Sequence, residues 1–424
     1  MTSDSIIFNI GELVTCSSGG RPKRGNAMRE IGLIKNAAVA VKDGKVLDVG
    51  SSDDVRRNFD TSQEIDAENR VVCPGFVDPH THIVYGGDRL DEFELKIQGR
   101  DYLDILKGGG GIISSVTQTR AASVEDLFQQ SNARLKKMLE CGTTSCEIKT
   151  GYGLDSATEM KMLEVIALLQ QASSVRLVPT FLAAHALPPE YKDNPNVYVN
   201  LICDTMLAQA WQWFVGSPFH GKTPFFCDVF CEKGAFDLEQ TKRILETARS
   251  MGYRLKAHVD EFTNMGGSRL AIGMGAASID HLDEISEDEI KLLAGSNTVG
   301  VITPTVNFNF GSSKFADARR LIDAGCTIAL STDYNPGSAP SPSQPAAMAI
   351  ACRYQKLLPA EALNAATINA AFAIGLGDRV GSIEAGKEAD LLIIDADDHR
   401  QLAHEFGGNL VSTVIKAGKV VTVA

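Results

Sequence analysis

Short apolar runs recur along the chain, separated by longer stretches in which apolar residues return every three or four positions. The runs lie near residues 72–78, 143–149, 175–181, 225–230, 254–259, 276–281, 298–303 and 326–332, each of a length that suits a buried strand. The intervening patterns predict helices over 123–140, 156–171, 237–251, 264–272, 287–294 and 314–323. Asp155 or Ser156 can cap the second of these, and Ser286, ahead of Glu287-Asp288-Glu289, can cap the fifth. Eight strands alternating mostly with helices favour a (β/α)8 barrel over a doubly wound sheet, because a barrel gathers polar residues from many strand ends around one centre.

The two ends of the chain have a different texture. Residues 37–42 and 45–49 flank Asp43-Gly44, a hairpin signal. The runs 390–395 and 411–416, with Ala417-Gly418-Lys419 turning into Val420-Val421, repeat that pattern. A small β-rich domain built from both ends, residues 1–68 and 376–424, is expected to frame a barrel over 69–375. The Pro, Ser and Gly-rich stretch 333–346 starts straight off a predicted buried strand and reads as an ordered site loop rather than a linker. Gly108-Gly109-Gly110-Gly111-Ile112 lacks the Lys-Ser/Thr of a phosphate-binding loop.

Composition narrows the class. A chain of 424 residues, 44% hydrophobic and 22% charged, can bury a large core. A formal charge of -12 argues against nonspecific nucleic-acid binding. No apolar span reaches membrane length, and the opening Met1-Thr2-Ser3-Asp4-Ser5 has no basic segment before a long apolar run, so no secretory signal is expected. Nine scattered cysteines without a CxxC pair fit a reduced, cytoplasmic setting.

Candidate chemistry gathers at the predicted strand ends. His80 and His82 follow the first run at i and i+2, so both imidazoles can face one metal ion. His258 ends the fifth run and Asp333 follows the eighth, completing a set of three imidazoles and one carboxylate. One divalent or trivalent ion suits these donors, and zinc and iron both accept them. It would acidify a bound water and polarise a carbonyl. His281 can accept or orient that water's proton, Asp333 can pass a proton to a leaving nitrogen, and Glu261 can hold a substrate N–H. Arg89 can clamp a carboxylate; Tyr152, and more weakly Tyr102, can add hydroxyls. His185 suits either a substrate carbonyl or the core, and Lys149 has the lesser option of a carbamylated metal bridge. A capping acid at Glu261, an outer role for His281 and a solvated ion pair at Arg89 are the plainer readings.

At these residues the chain resembles the imidazolonepropionases of the amidohydrolase superfamily. The resemblance runs over nearly the full length and rests on residues 74–82, Gly86-Gly87-Asp88-Arg89, Gly109-Gly110-Gly111-Ile112, Lys149-Thr150-Gly151-Tyr152-Gly153-Leu154, Ala184-His185-Ala186-Leu187-Pro188-Pro189, His258-Val259-Asp260-Glu261-Phe262 and Asp333-Tyr334-Asn335-Pro336-Gly337. It implies a distorted barrel beside a small β-sandwich, often as a homodimer. It implies hydrolysis of 4-imidazolone-5-propanoate to N-formimino-L-glutamate, with zinc or iron on His80, His82, His258 and Asp333. Glu261 and His281 would serve the chemistry, and Arg89, Tyr152, His185, Asn335, Gly337 and Ser338 would meet the small anionic substrate, Arg89 on its propionate.

One departure lies near the site: residues 303–308 lack the glycine usual after the seventh strand, which leaves a related cyclic amide open as substrate. A deaminase of a nitrogen heterocycle would use nearly the same metal groups and release ammonia. A non-catalytic scaffold is the alternative of a different class, and the intact ligand set argues against it.

Overall fold

The computed structural model describes residues 2–99 and 110–421; Tyr102, one of the expected substrate contacts, lies outside them. Eight parallel strands run in chain order around one sheet: β1 (Phe76–Asp78), β2 (Thr143–Lys149), β3 (Arg176–Ala184), β4 (Phe226–Cys231), β5 (Arg254–Val259), β6 (Ser278–His281), β7 (Val299–Ile302) and β8 (Ile328–Leu330). Helices lie between most of them, and the architecture is the distorted (β/α)8 barrel. Asp155 caps the helix Ser156–Ala172 by accepting from the Thr158 amide at 2.8 Å. Ser286 opens the helix Glu287–Ala294, its own amide donating to Glu289 at 3.1 Å.

The seam between β8 and β1 is closed mainly by side chains. A single bridge joins Thr81 to Tyr334 just beyond the two strands. Ser331 donates to Asp78 at 2.6 Å, Thr332 bonds the same carboxylate, and Gln344 Nε2 reaches the Val77 carbonyl at 3.1 Å and that of Leu330 at 3.3 Å. Val77, Val178, Phe226, Val301 and Ala329, from five strands, share an apolar cluster with Ala370, Ala371, Ala373 and Ile374. Only the end or lumen of a barrel gives those strands access to one segment. The helix Ile368–Ala373 therefore closes the end away from the site.

The expected strand over 72–78 is two strands with different partners. Val71–Pro74 pairs with Ser5–Val14 and with Leu391–Ile394, inside the sheet made by both chain ends. Gly75 then turns the chain into β1, where a Cβ would lie 2.3 Å from Thr144 Oγ1. The apolar run was continuous because both strands are buried. The terminal sheet folds as a small β-sandwich around Ile7, Leu13, Val39, Val72, Leu391 and Ile415. No helix among the described residues is long and apolar enough to cross a membrane.

Candidate active site and metal centre

The regular part of β1 ends at Asp78, yet the chain stays extended through the two histidines. The Lys149 amide donates to the Thr81 carbonyl at 3.0 Å and the His82 amide to that of Tyr334 at 2.9 Å, so both imidazoles point the same way. His80 Nε2 lies 3.1 Å from His82 Nε2, and His258 Nε2 lies 3.3 Å from it. Asp333 Oδ1 is 3.5 Å from Nε2 of both His80 and His82. All four residues are buried.

Electrostatics supports a cation at this point. Burial, then Lys149, holds His80 well below the usual histidine range; burial, then His185, does the same for His82. Both rings are therefore neutral, each with a single proton, and Asp280 beside His80 Nδ1 at 2.6 Å favours that nitrogen as the place for the His80 proton. Burial also pushes Asp333 well up, and its Oδ1 has no hydrogen-bond partner among the described residues. Such crowding of unshared donors fits a divalent metal centre.

Two of the nitrogens turned away from this centre lie against acids. Asp280 Oδ2 lies 2.6 Å from His80 Nδ1, and Asp228 Oδ2 lies 3.0 Å from His258 Nδ1. Lys149 is not set apart as a metal bridge: its ammonium lies 2.7 Å from both Glu147 and Asp228. His82 has no such acid, and its ring stacks on His185 at 4.8 Å. His185 Nδ1 is 3.0 Å from the Gly151 carbonyl, and burial pushes its pKa down to about 3. With Nδ1 donating to that carbonyl, Nε2 is left as an acceptor.

A cavity of about 480 Å³ opens over this centre. It brings together His82, His258, Asp333, Arg89, Tyr152, His185, Glu261, His281, Asn335, Gly337 and Ser338. His281 Nδ1 is 3.1 Å from the Thr303 hydroxyl, Nε2 has no hydrogen-bond partner among the described residues, and Glu261 is 3.8 Å away. Burial, then Asp333, holds Glu261 well above the usual carboxylate range. Backbone φ is 86° at His281 and 48° at Asp333, a left-handed conformation that side-chain-bearing residues adopt at some cost and that concentrates at functional sites.

Arg89 faces the cavity but is already paired. Its Nε donates to Glu92 at 2.8 Å and Nη2 bonds the other oxygen, while the Gly111 amide holds Glu92 at 2.8 Å. The remaining Nη1 lies against Gly337, where a Cβ would come within 1.9 Å of it. Asn335 spends its side chain inside its own loop, donating to the Asp333 carbonyl and Ser338 Oγ and accepting from the amides of Gly337 and Ser338. These bonds shape the loop, and Asn335 itself lines the cavity.

A general amidohydrolase family pattern matches residues 231–421. Across 419 residues the chain is 51% identical to the imidazolonepropionase of Chloroflexus aggregans, covering 99% of this chain and 98% of that relative. The chain belongs to the imidazolonepropionase family. The imidazolonepropionase of Herpetosiphon aurantiacus is 48% identical over a similar span, 99% of this chain and 97% of the relative. Among solved structures, a zinc-bound adenosine deaminase from Xanthomonas campestris superposes with a TM-score of 0.74 at 20% identity, covering 99% of this chain and 93% of that one. At that identity the likeness establishes the fold alone. As a member of the imidazolonepropionase family the chain is a metal-dependent hydrolase.

The residues not anticipated are Glu147, Asp228, Lys256 and Asp280, which pack around Lys149, together with Glu92 and Glu159. The signal was present as charge at every second position inside buried strands, in Glu147-Ile148-Lys149 and Lys256-Ala257-His258. Period-two charge within an apolar run marks the inner face of a barrel.

Proposed function

We propose that this protein hydrolyses the ring C–N bond of 4-imidazolone-5-propanoate, giving N-formimino-L-glutamate. The observation that carries the reading is a single cavity with converging imidazoles and a carboxylate at its floor and a guanidinium on its wall. A small ring bearing a carboxylate matches both features.

His80, His82, His258 and Asp333 would hold the metal, and zinc or iron suits them equally. When bound, that ion acidifies water and polarises the ring carbonyl. His281 accepts the proton released as water oxygen adds to the carbonyl carbon, because burial keeps its imidazole neutral, the residue lines the cavity, and Nε2 has no hydrogen-bond partner among the described residues. The carbonyl carbon then parts from the ring nitrogen, which takes a proton relayed through Asp333. Glu261, held protonated by burial, and His185, through its free Nε2, bind ring nitrogens and their hydrogens. Arg89 engages the propionate, and Tyr152 closes the wall beside it. The same reading makes the protein a cytoplasmic homodimer without a nucleic-acid partner.

The test is to supply freshly prepared imidazolonepropionate to metal-loaded protein and to identify the product by mass. N-formimino-L-glutamate without ammonia is the expected result. Ammonia release would favour a deaminase, and turnover only of another cyclic amide would move the substrate assignment.

A further inference from the structure

Behind the ligand histidines lies a cluster of five charges with no exposed side chain: Glu147, Lys149, Asp228, Lys256 and Asp280. Lys149 Nζ stands 2.7 Å from Glu147, 2.7 Å from Asp228 and 3.7 Å from Asp280. Lys256 Nζ donates to the Pro79 carbonyl at 2.7 Å, next to His80, and lies 3.6 Å from Glu147 and 3.8 Å from Asp280. Asp280 is completed by the Ser278 hydroxyl at 2.6 Å. Ion pairs sealed from water cost more to bury than to leave exposed. Five of them in one lumen therefore need a purpose that packing alone does not supply.

Each acid faces two ways. Asp228 uses Oδ2 toward both Lys149 and His258 Nδ1, while its Oδ1 accepts the His258 amide at 3.2 Å. Asp280 uses Oδ2 toward His80 Nδ1 and both lysines. A neutral imidazole that keeps its proton on Nδ1, toward a carboxylate, presents a bare Nε2, the form a metal needs. The lysines hold those carboxylates in place and balance their charge.

We infer that Asp228 and Asp280 are positioning residues that fix the tautomer and ring angle of His258 and His80, and that Lys149 is the internal cation ordering both acids. The inference rests on the proposed metal site. It assigns Lys149 a fixed structural charge in place of a modified, metal-bridging side chain.

The experiment measures zinc affinity by chelator competition in full-length wild-type, Asp280→Asn, Asp228→Asn and Lys149→Met proteins, with circular dichroism and the melting temperature of each metal-free protein alongside. Expected is a fall in affinity of about 10–100-fold in Asp280→Asn and Asp228→Asn, with the metal-free proteins still folded. Cobalt-loaded variants should also show a shifted visible absorption band, which a merely structural role would leave in place. Lys149→Met should lose affinity as well; if it does not fold, the two near-isosteric asparagine variants decide the matter. Unchanged affinity and spectrum in folded asparagine variants would overturn the positioning role while leaving the metal site intact. A wild-type protein that binds neither zinc nor iron would overturn the site itself, and this inference with it.

Discussion

Arg89 shows how one side chain can satisfy two readings at once. It is an ion-pair residue, through Glu92, and a cavity-facing guanidinium, through the edge beside Gly337. The sequence offered both roles and could not choose, because Glu92 lies one helical turn away and its direction depends on the fold. Replacing Arg89 with Met should reduce kcat/KM for the propionate-bearing substrate about 10–100-fold, the worth of a charge-assisted hydrogen bond of about 1.5–3 kcal/mol, chiefly through KM. Steady-state kinetics with an uncharged analogue supplies the control: an equal loss there would count against a clamp. The convergence of His80 and His82 was legible because two histidines at i and i+2 carry their own geometry. Asp228 and Asp280 were not, since a lone acid in a strand announces neither its face nor its partner.

At the scale of elements, the order and place of the strands were readable, though the run expected over 326–332 is a strand only at Ile328–Leu330. β2 and β5 fall where apolar runs were expected, and the helix over Val124–Glu140 is displaced by one position only. What periodicity could not show was the change of sheet at Gly75, where two buried strands follow one another with the same texture. Loops were harder, because buried acids of other elements hold them. Glu159 accepts the amides of Gly151, Gly153 and Leu154 at 2.8–3.2 Å and so builds the turn that carries Tyr152. Glu159→Gln should cost about 1–3 kcal/mol of stability by leaving buried amides poorly met, read as a lower urea midpoint, and should raise KM more than it lowers kcat. An unaltered midpoint would show that the turn needs no carboxylate. The turn after β6 makes a different prediction. Burial pushes Asp283 up to about 7, against the Asn307 amide that bonds it at 2.9 Å. The native state then holds a proton that the unfolded chain has lost between about pH 4 and pH 7. Its share of the stability should decline as pH rises through that window, and Asp283→Asn should flatten the slope of the denaturation midpoint against pH. Parallel slopes in the two proteins would contradict this.

For the whole molecule, the residues proposed to hold the metal come from β5 and from the chain just past β1 and β8, so an ion bound there should hold the barrel closed where its ladder is weakest. Stripping the metal should lower the melting temperature, and restoring zinc to 100 times its Kd should recover about 2.7 kcal/mol; calorimetry with and without chelator checks it. The strand Val71–Pro74 has a further consequence for the order of assembly. Its two neighbours, Ser5–Val14 and Leu391–Ile394, stand at opposite extremes of the sequence. During synthesis one flank of that strand must wait, backbone groups unmet, until more than three hundred later residues have emerged. Pairings of such long reach are slow to form, and a waiting edge invites union with a second nascent chain. The terminal sheet is thus the last part of the protein able to mature and the first in which crowding on the ribosome would be felt.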